Sequence, residues 1–273
     1  MTPELAIVIV SFNARADLER CLSSIDAAPP ASPFEIILVD NASTDGSPEL
    51  VRARWPAVRV LPQARNLGFA AACNVGIRAT CAELVLLLNG DTIAPPGALD
   101  GLVARLRASP DVAVAGPRLV DEGGIPELSF GRMIAPLAEL RQKALATRLA
   151  RRAPAAVSRV RRLTSAERYP DWVSGACLLV RRADAEAAGL LDERFFLYTE
   201  DVDFCAAIRR LGRRVLFTPA AEIVHLRGRS RASAAGATER AYRASQLAFY
   251  AKHHPGWAPW LRLYLRLRGK LPA

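Results

Sequence analysis

The fold of this chain is constrained most by a series of short apolar runs that alternate with helical patterns through its first half. Such runs are typical of buried parallel strands, and the stretches between them are typical of crossover helices. The predicted strands cover residues 5–10, 34–39, 58–61 and 83–88, and the predicted helices cover residues 16–25 and 68–80. The pattern therefore predicts an α/β fold with a mostly parallel central sheet flanked by helices.

Polar side chains stand at the ends of three of these predicted strands. They belong to Ser11-Phe12-Asn13, to Asp40 and to Asn89-Gly90-Asp91. Ligands of open parallel sheets bind beyond the carboxyl ends of the strands. We therefore expect these groups to converge on one crevice, and we expect Ser47 to cap the helix that follows the second strand.

The strand pattern is interrupted in the second half of the chain. The alternation fades after about Gly123, and residues 139–168 form a helical stretch rich in alanine and arginine, which indicates an insertion outside the core. Further strands are predicted over residues 172–180 and 214–217, and a further helix over residues 199–211. We expect a nucleotide-binding half over residues 1–122, an acceptor half over residues 123–240 and a basic amphipathic tail over residues 241–273.

The net charge favours anionic partners. The chain has 37 Lys and Arg residues against 27 Asp and Glu residues, which gives a net charge of +10 at neutral pH. Nucleotide phosphates, nucleic acid and acidic lipid headgroups all suit this imbalance. Nucleic acid is disfavoured, because no nucleic-acid-binding motif is present and the basic residues lie away from the predicted crevice.

The cysteines and histidines form no zinc-site pattern. The five cysteines stand singly in apolar runs, which predicts buried thiols in a reducing compartment. No cysteine lies at ligand spacing from the three histidines, so we expect a bound metal to use carboxylates. No basic leader opens the chain, and no stretch reaches the ~20 apolar residues that span a bilayer. These observations predict a cytoplasmic location.

The polar strand ends each allow two interpretations. Asp91, after a buried strand and a glycine, is suited to hold Mg²⁺ or Mn²⁺ against phosphates, but Asn-Gly is also a common turn. Asp40 is suited either to a ribose or base or to the turn that follows it. An NAD-dependent enzyme is disfavoured, because residues 11–15 contain no glycine where such enzymes carry GxGxxG.

A third group of acids, Thr199-Glu-Asp-Val-Asp203, opens a predicted helix. The helix dipole favours negative charge in the first turn, which accounts for part of this pattern. The apolar aromatic run Phe195-Phe-Leu-Tyr198 precedes it and would place the acids at the mouth of a partly desolvated cavity. A carboxylate in such a place is suited to act as a base.

In their order along the chain, these motifs resemble those of the family 2 glycosyltransferases of GT-A fold, especially rhamnosyltransferase-like members. The resemblance covers nearly the whole chain. It rests on residues 8–13, 39–47, 66–74, 88–92, 172–176, 196–203 and 225–230. Gly90 stands where these members often carry proline, and Ala207 where they often carry arginine.

The resemblance implies a donor site and a metal site. The residues implied to hold or flank the nucleotide are Ser11, Asn13, Asp40, Asn66 and Gly68. Asp91 stands at the DxD position that binds the metal and the diphosphate, while Asn89 replaces the first acid of that motif. His225 is implied to complete the coordination of Mg²⁺ or Mn²⁺.

The resemblance also implies an acceptor site and a base. Asp201 corresponds to the catalytic base. Glu200 is either its helix-capping neighbour or an acceptor contact, and Trp172 and Gly175 belong to the acceptor wall.

The expected activity is inverting, metal-dependent transfer of a sugar from a nucleotide diphosphate donor to a hydroxyl of a glycan or lipid-linked glycan. dTDP-rhamnose is the first donor to test and UDP-sugars are the second. Two alternatives remain at this point: a catalytically silent sugar-nucleotide-binding protein of the same fold, and a basic nucleic-acid-binding protein. Transfer assayed with Mn²⁺ distinguishes the three.

The tail combines basic, aromatic and leucine residues, as in Trp257-Ala-Pro-Trp260-Leu-Arg-Leu-Tyr264. Such a pattern suits a helix at the surface of an anionic membrane, which would make the protein peripheral on the inner face. It equally suits a tail packed on the domain with a solvated basic face.

Overall fold

The computed structural model describes residues 2–226 and 235–272. Its strands are β1 (Leu5–Ser11), β2 (Phe34–Asp40), β3 (Arg59–Pro62), β4 (Leu84–Asn89), β5 (Thr92–Ile93), β6 (Val112–Val120), β7 (Phe130–Gly131), β8 (Trp172–Val173), β9 (Cys177–Arg181) and β10 (Arg214–His225). Its helices are α1 (Arg15–Ala27), α2 (Ser47–Arg54), α3 (Phe69–Arg78), α4 (Ala98–Arg107), α5 (Pro136–Ala150), α6 (Pro154–Leu163), α7 (Arg182–Ala187), α8 (Glu200–Arg210), α9 (Ala235–His253) and α10 (Ala258–Leu267). The resemblance motif at 225–230 lies outside the described residues from position 227 onward.

Eight of these strands form one sheet in the order β3-β2-β1-β4-β9-β6-β10-β5. The pairs within β3-β2-β1-β4 are parallel, as is the β6-β10 pair. Strand β9 runs antiparallel to both β4 and β6, and β5 runs antiparallel to β10. The predicted parallel half is therefore joined to a second part of the sheet through one reversed strand.

Side chains along β1 point alternately to the two faces of the sheet, and each face is covered by a layer of helices. Leu5, Ile7 and Ile9 point into one apolar cluster, whereas Val8 points into the other. Helices α1 and α4 cover the first face, and helices α3 and α8 cover the second. Burial on both faces is what makes β1 a continuous apolar run.

Several local predictions differ from the structure. The strand predicted over residues 172–180 is two strands, and the one predicted over residues 214–217 extends to His225. Ser47 is the first residue of α2 and does not cap it; the Asp45 carboxylate accepts its backbone N–H at 3.0 Å. Cys81 is exposed, in contrast to the other four cysteines.

The predicted insertion and the tail pack together on the domain. Helix α6 buries Ala156 and Val160, so this part of the insertion does contribute to the interior. In α5, Glu139 accepts hydrogen bonds from Gln246 at 2.6 Å and from the Tyr250 hydroxyl at 2.5 Å, both on α9. The first part of the tail is therefore a structural helix of the domain.

Candidate active site

The carboxyl ends of three parallel strands meet at one edge of the sheet. Ser11 pairs with Asp40, and Val10 pairs with Asn89. The backbone N–H of Asn41 also donates to the Ser11 carbonyl at 2.8 Å. This register places the predicted polar groups of β1, β2 and β4 side by side.

Two loops beyond this edge are fastened to each other by side chains. The Asn13 amide oxygen accepts the backbone N–H of Thr44 at 2.8 Å, and the Asn13 N–H donates to the Ser43 hydroxyl at 2.9 Å. The backbone N–H of Arg15 donates to the Asp45 carboxylate at 2.8 Å. Asn13, implied by the resemblance to bind the donor, thus uses its side-chain oxygen to hold the loop after β2.

Two buried polar atoms at this edge have no hydrogen-bond partner among the described residues: Oγ of Ser11 and Oδ1 of Asp40. Each residue is only 2% exposed. The other oxygen of Asp40 accepts the Ser43 N–H at 3.1 Å. Buried polar atoms normally have hydrogen-bond partners. The Asp40 oxygen is therefore suited to accept a hydrogen bond from a ligand such as a ribose or base, and the Ser11 hydroxyl is suited to donate or accept one.

Gly68 makes a close backbone contact next to this crevice. Gly68 has φ of +83°, and a Cβ there would lie 2.4 Å from the carbonyl oxygen of Phe196. The backbone N–H of Phe69 donates to that same oxygen at 2.7 Å. Asn66 accepts the Gly68 N–H at 2.9 Å, and Asn41 donates to the Gly68 carbonyl at 3.1 Å. The absence of a side chain at Gly68 lets the segment before α8 lie against α3.

Asp91 lies beside His225 at the end of the sheet. Strand β5 pairs with the end of β10, and Nε2 of His225 lies 3.4 Å from Oδ1 of Asp91. On the other side of the ring, Nδ1 of His225 lies 3.2 Å from Oε2 of Glu127. Burial alone would lower the pKa of His225, but hydrogen bonds and negative charge from Asp91 and Glu127 raise it to about 9.

This arrangement fits a divalent cation with two protein ligands. At a pKa of about 9 the metal-free His225 is protonated at neutral pH, so a divalent cation would bind with loss of the Nε2 proton. The Nε2 lone pair would then face Asp91, and Nδ1–H would stay hydrogen-bonded to Glu127, as in a metal-ligating histidine held by a carboxylate. Within residues 2–226 and 235–272, no three His, Cys, Asp or Glu side chains cluster to hold an ion. Phosphate and water oxygens would therefore supply the other ligands of Mg²⁺ or Mn²⁺.

Sequence reasoning missed Glu127. The residue is 5% exposed and lies in an irregular stretch between β6 and β7. Nothing in that stretch is periodic, and the contact with His225 joins positions 98 residues apart. No pattern in the sequence could have identified this residue.

Asp201 lies in the first turn of α8 and is held by backbone donors. The N–H of Gly175 donates to its Oδ2 at 2.9 Å, and the N–H of Val202 donates to its Oδ1 at 2.8 Å. Burial raises the pKa of Asp201, and these hydrogen bonds offset part of the increase. The carboxylate is thus a stronger base than an exposed aspartate.

Glu200 is buried more deeply than its neighbour. It is 5% exposed, and its Oε2 has no hydrogen-bond partner among the described residues. Burial, together with the charge of Asp201, raises the pKa of Glu200 well above its usual range.

The segment before α8 is strained. Tyr198 and Thr199 have φ of +70° and +66°, a conformation that non-glycine residues rarely adopt. Such strain clusters at functional sites, because the surrounding structure must stabilise it. Here it turns the chain sharply into α8 just before Asp201.

Trp172 lies mostly in the interior. It is 7% exposed, its indole packs against Gly131, and its N–H donates to the Arg132 carbonyl at 2.9 Å. Strand β8 leads directly to Gly175, so Trp172 supports the segment that contacts Asp201.

The two predicted acids are connected through adjacent strands. The N–H of Asn89, two residues before Asp91, donates to the Ala176 carbonyl at 2.9 Å. The residue before Ala176, in the loop that leads into β9, is Gly175, whose N–H donates to Asp201. The segments that carry Asp91 and Asp201 therefore meet at the same edge of the sheet.

The mostly parallel sheet flanked by helices, with a crevice at the ends of its strands, defines the class of fold: it is a GT-A fold. Two solved structures share this architecture, each with a TM-score of 0.64. One is GalNAc-T7 with UDP, GalNAc and Mn²⁺, at 17% identity over 90% of this chain and 48% of that chain. The other is the mannosyltransferase PcManGT from Pyrobaculum calidifontis with GDP-Man and Mn²⁺, at 20% identity over 96% of this chain and 68% of that chain.

The sequence comparisons give the family. The model described as Glycosyl transferase family 2 matches residues 6–161. The N-acetylglucosaminyl-diphospho-decaprenol L-rhamnosyltransferase of Mycobacterium tuberculosis is 33% identical, over 99% of this chain and 91% of that protein. A further relative is the low-salt glycan biosynthesis hexosyltransferase Agl10 of Haloferax volcanii, at 27% identity over 77% of this chain and 63% of that protein. The chain belongs to glycosyl transferase family 2, as a rhamnosyltransferase-like member, and both the predicted family and the predicted GT-A fold are confirmed.

Proposed function

We propose that this chain is an inverting, metal-dependent glycosyltransferase that moves a sugar to a hydroxyl of a lipid-linked glycan. The observation that carries the proposal is the junction of the Asp91 and Asp201 segments at one edge of the sheet, through Asn89 and Gly175. Transfer of this kind needs a group that holds the diphosphate and a group that accepts a proton.

The nucleotide-sugar donor would bind at the carboxyl ends of β1 and β2. Ser11 and Asp40 would bind the nucleoside through their unpartnered oxygens, and Asn66 and Gly68 would border it. Asp91 and His225 would hold Mg²⁺ or Mn²⁺, which when bound neutralises negative charge on the diphosphate leaving group.

The acceptor side uses Asp201 as general base. Its carboxylate accepts the proton of the acceptor hydroxyl, while that oxygen forms a bond to the anomeric carbon of the donor sugar. The bond from the anomeric carbon to the diphosphate oxygen breaks on the opposite face, so the configuration inverts. The hydrogen bonds from Gly175 and Val202 keep the carboxylate oriented during this transfer. Trp172 and Glu200 would support the acceptor wall from the interior.

The proposed substrates are based on the reaction class and on the name of the mycobacterial relative. That relative's name specifies rhamnose and a diphospho-decaprenol-linked N-acetylglucosamine. We infer dTDP-rhamnose as donor, with UDP-sugars as the second choice, and a prenyl-diphosphate-linked glycan of a cell-wall or polysaccharide pathway as acceptor. We infer that a lipid-linked acceptor would bring the enzyme to a membrane surface, with the inner face as the proposed location. Within residues 2–226 and 235–272, no helix is long and apolar enough to cross a bilayer.

The test is a donor panel followed by a transfer assay. Thermal shift of the purified chain is measured with dTDP-rhamnose, UDP-glucose, UDP-galactose and UDP-N-acetylglucosamine, each with Mn²⁺ and with EDTA. Stabilisation by one donor that depends on Mn²⁺ is expected. That donor is then incubated with a short-chain prenyl-diphosphate-linked N-acetylglucosamine, and the new linkage is analysed by NMR. Retained anomeric configuration, or binding without transfer to any acceptor tested, would overturn the proposed reaction.

A further inference from the structure

Helix α10 has an apolar face that the fold does not use. Leu265 is fully buried and Leu261 packs against the core, so one side of the helix is already attached to the domain. Five other apolar side chains remain exposed by 47–79%: Trp257, Trp260, Leu263, Tyr264 and Leu267. We call these five residues the outer face of α10.

The outer face is a continuous stripe. At 3.6 residues per turn, its five members span an arc of roughly 120° on the side of the helix away from Leu261 and Leu265. Exposed apolar residues are usually scattered singly in soluble proteins. Two tryptophans and a tyrosine in such a stripe are typical of a membrane interface, where aromatic rings lie at headgroup level.

The charged residues of α10 and of the segment after it are all basic, and one of them, Lys270, pairs with Glu239 of α9 at 3.2 Å. From position 254 to the end of the chain there is no acidic residue, but there are four basic ones: Arg262, Arg266, Arg268 and Lys270. All four are exposed. At about 100° per residue, Arg266 lies roughly 60° beyond the Leu263 edge of the stripe and Arg262 roughly 100° beyond it. Neither makes a hydrogen bond or ion pair with any residue the structure describes. This complementarity points to an anionic surface.

The stripe is fixed relative to the active site. Helix α9 leads into α10, and its Lys252 and His253 bind the carboxylate of Asp203 at 2.8 Å and 2.6 Å. Asp203 is two residues from the proposed base, Asp201. At the other end of α9, the ring of Tyr242 lies edge-on to Tyr198 in the strained segment before α8, with centroids 5.7 Å apart. A surface bound by α10 would therefore hold the pocket in one orientation.

We propose that the outer face of α10 inserts into the headgroup region of an anionic phospholipid bilayer and orients the pocket toward a lipid-linked acceptor. The inference deepens the proposed function and rests on it for the acceptor. The membrane contact itself needs no catalysis, so the two can fail independently. Arg266, beside the stripe, and Arg262, further round the helix, extend their long side chains to lipid phosphates, and the aromatic and leucine side chains lie at the acyl boundary.

The test uses the full chain with vesicles of phosphatidylglycerol and phosphatidylcholine at equal amounts, and with vesicles of phosphatidylcholine alone. At low salt we expect cosedimentation with the anionic vesicles and a blue shift of tryptophan emission. Trp257→Ser with Trp260→Ser should reduce the partition coefficient at least about tenfold and abolish the blue shift. The matched control is Tyr169→Ser with Leu211→Ser, two exposed apolar residues outside α10, which should bind as the native chain does.

The contribution of the arginine charges is tested by a second double variant and its control. Arg262→Glu with Arg266→Glu should reduce binding to anionic vesicles about tenfold or more, whereas Arg52→Glu with Arg210→Glu should have a much smaller effect. Circular dichroism and thermal unfolding verify that each variant folds.

Three results would overturn the inference. They are no binding of the native chain at low salt, undiminished binding of the tryptophan variant, and a native dimer by light scattering that the tryptophan variant converts to monomer. The last result would assign the outer face to a second copy of the chain. Vesicle binding without transfer to any acceptor would leave this inference intact and reject the proposed reaction. Transfer to a water-soluble acceptor should be unchanged in the tryptophan variant.

Discussion

The backbone N–H of Gly175 donates a hydrogen bond of 2.9 Å to the carboxylate of Asp201. A Cβ at position 175 would lie 3.3 Å from Cβ of Asp201 and 3.3 Å from the ring of Phe69. The close approach joins the loop before β9, the start of α3 and the start of α8. The proposed base is therefore oriented by the loop that leads into β9, and β9 pairs with β4, the strand leading to Asp91.

Replacing Asp201 with asparagine should lower kcat by ~10²- to 10⁴-fold, because an amide cannot accept the proton of the acceptor hydroxyl. The donor dissociation constant should change little, since the donor contacts lie on the other strands. Steady-state transfer kinetics and calorimetric donor titration measure the two effects. Asp26→Asn, at an exposed carboxylate in α1, is the control, and equal kcat values for the two variants would reject Asp201 as base.

The pH dependence of transfer should reflect the partly buried position of Asp201. Burial raises the pKa of this carboxyl, and the base must be ionised to accept a proton. kcat should therefore fall with decreasing pH at a higher pH than an exposed aspartate, with a pKa of about 3.9, would give. The measurement is kcat against pH at saturating donor, acceptor and Mn²⁺. An acidic limb that stays unchanged in Asp201→Asn would contradict the assignment.

Glu127 should act on the metal site through His225. Its carboxylate lies 3.2 Å from Nδ1 of the histidine, which makes it a positioning residue for the ring. Replacing Glu127 with alanine should raise the Mn²⁺ dissociation constant, measured with bound nucleoside diphosphate, by ~10- to 100-fold. Glu127→Gln keeps an acceptor for Nδ1–H and should recover part of that affinity.

The control for this effect is Glu122→Ala, at an exposed glutamate that pairs with Arg20 on the surface. It should leave Mn²⁺ affinity unchanged. If Glu127→Ala lowered thermal stability but not Mn²⁺ affinity, the residue would have a purely structural role.

Substitution of Gly68 should disturb the segment before α8. The residue has φ of +83°, and a Cβ would lie 2.4 Å from the Phe196 carbonyl oxygen, so Gly68→Ala must displace backbone. We expect a loss of ~1–3 kcal/mol in the free energy of unfolding, together with reduced kcat. Gly97→Ala is the comparison for positive φ alone, because Gly97 is in the left-handed helical region, with ψ of −6°, and has open space around it, whereas Gly68 has ψ of 175°. Chemical denaturation of both variants measures the added cost of the backbone conformation and close approach at Gly68, and equal losses would contradict any such added cost.

Glu200 should reduce stability at neutral pH. Burial raises the pKa of this glutamic acid above its unfolded value, so the folded state holds a proton that the unfolded state releases. Stability therefore falls as pH rises above the unfolded pKa of about 4.3. Glu200→Gln should remove this loss and gain on the order of 1–3 kcal/mol at pH 7.5, but less at pH 5. Urea unfolding at both values checks this, and a gain that did not vary with pH would contradict it.

The sequence alone determined the parallel half of the fold and the positions of the two principal acids. Buried strands such as β1 and β4 are continuous apolar runs, and their polar ends at Ser11 and Asp91 follow from where each run stops. The acidic helix start at residues 199–203 was predictable because acids after an aromatic run are a local pattern, and the family resemblance implied Asp201 among them. Such features were predictable because short-range periodicity reflects burial directly.

Only the tertiary structure decided how these parts meet. The reversed strand β9, the Glu127–His225 contact and the attachment of α9 to Asp203 join residues far apart in the chain. The split of the strand predicted at 172–180 follows from the same cause, because Gly175 leaves the sheet to bind Asp201. Contacts of this kind depend on packing between distant segments, and no local pattern of residue types encodes their partners.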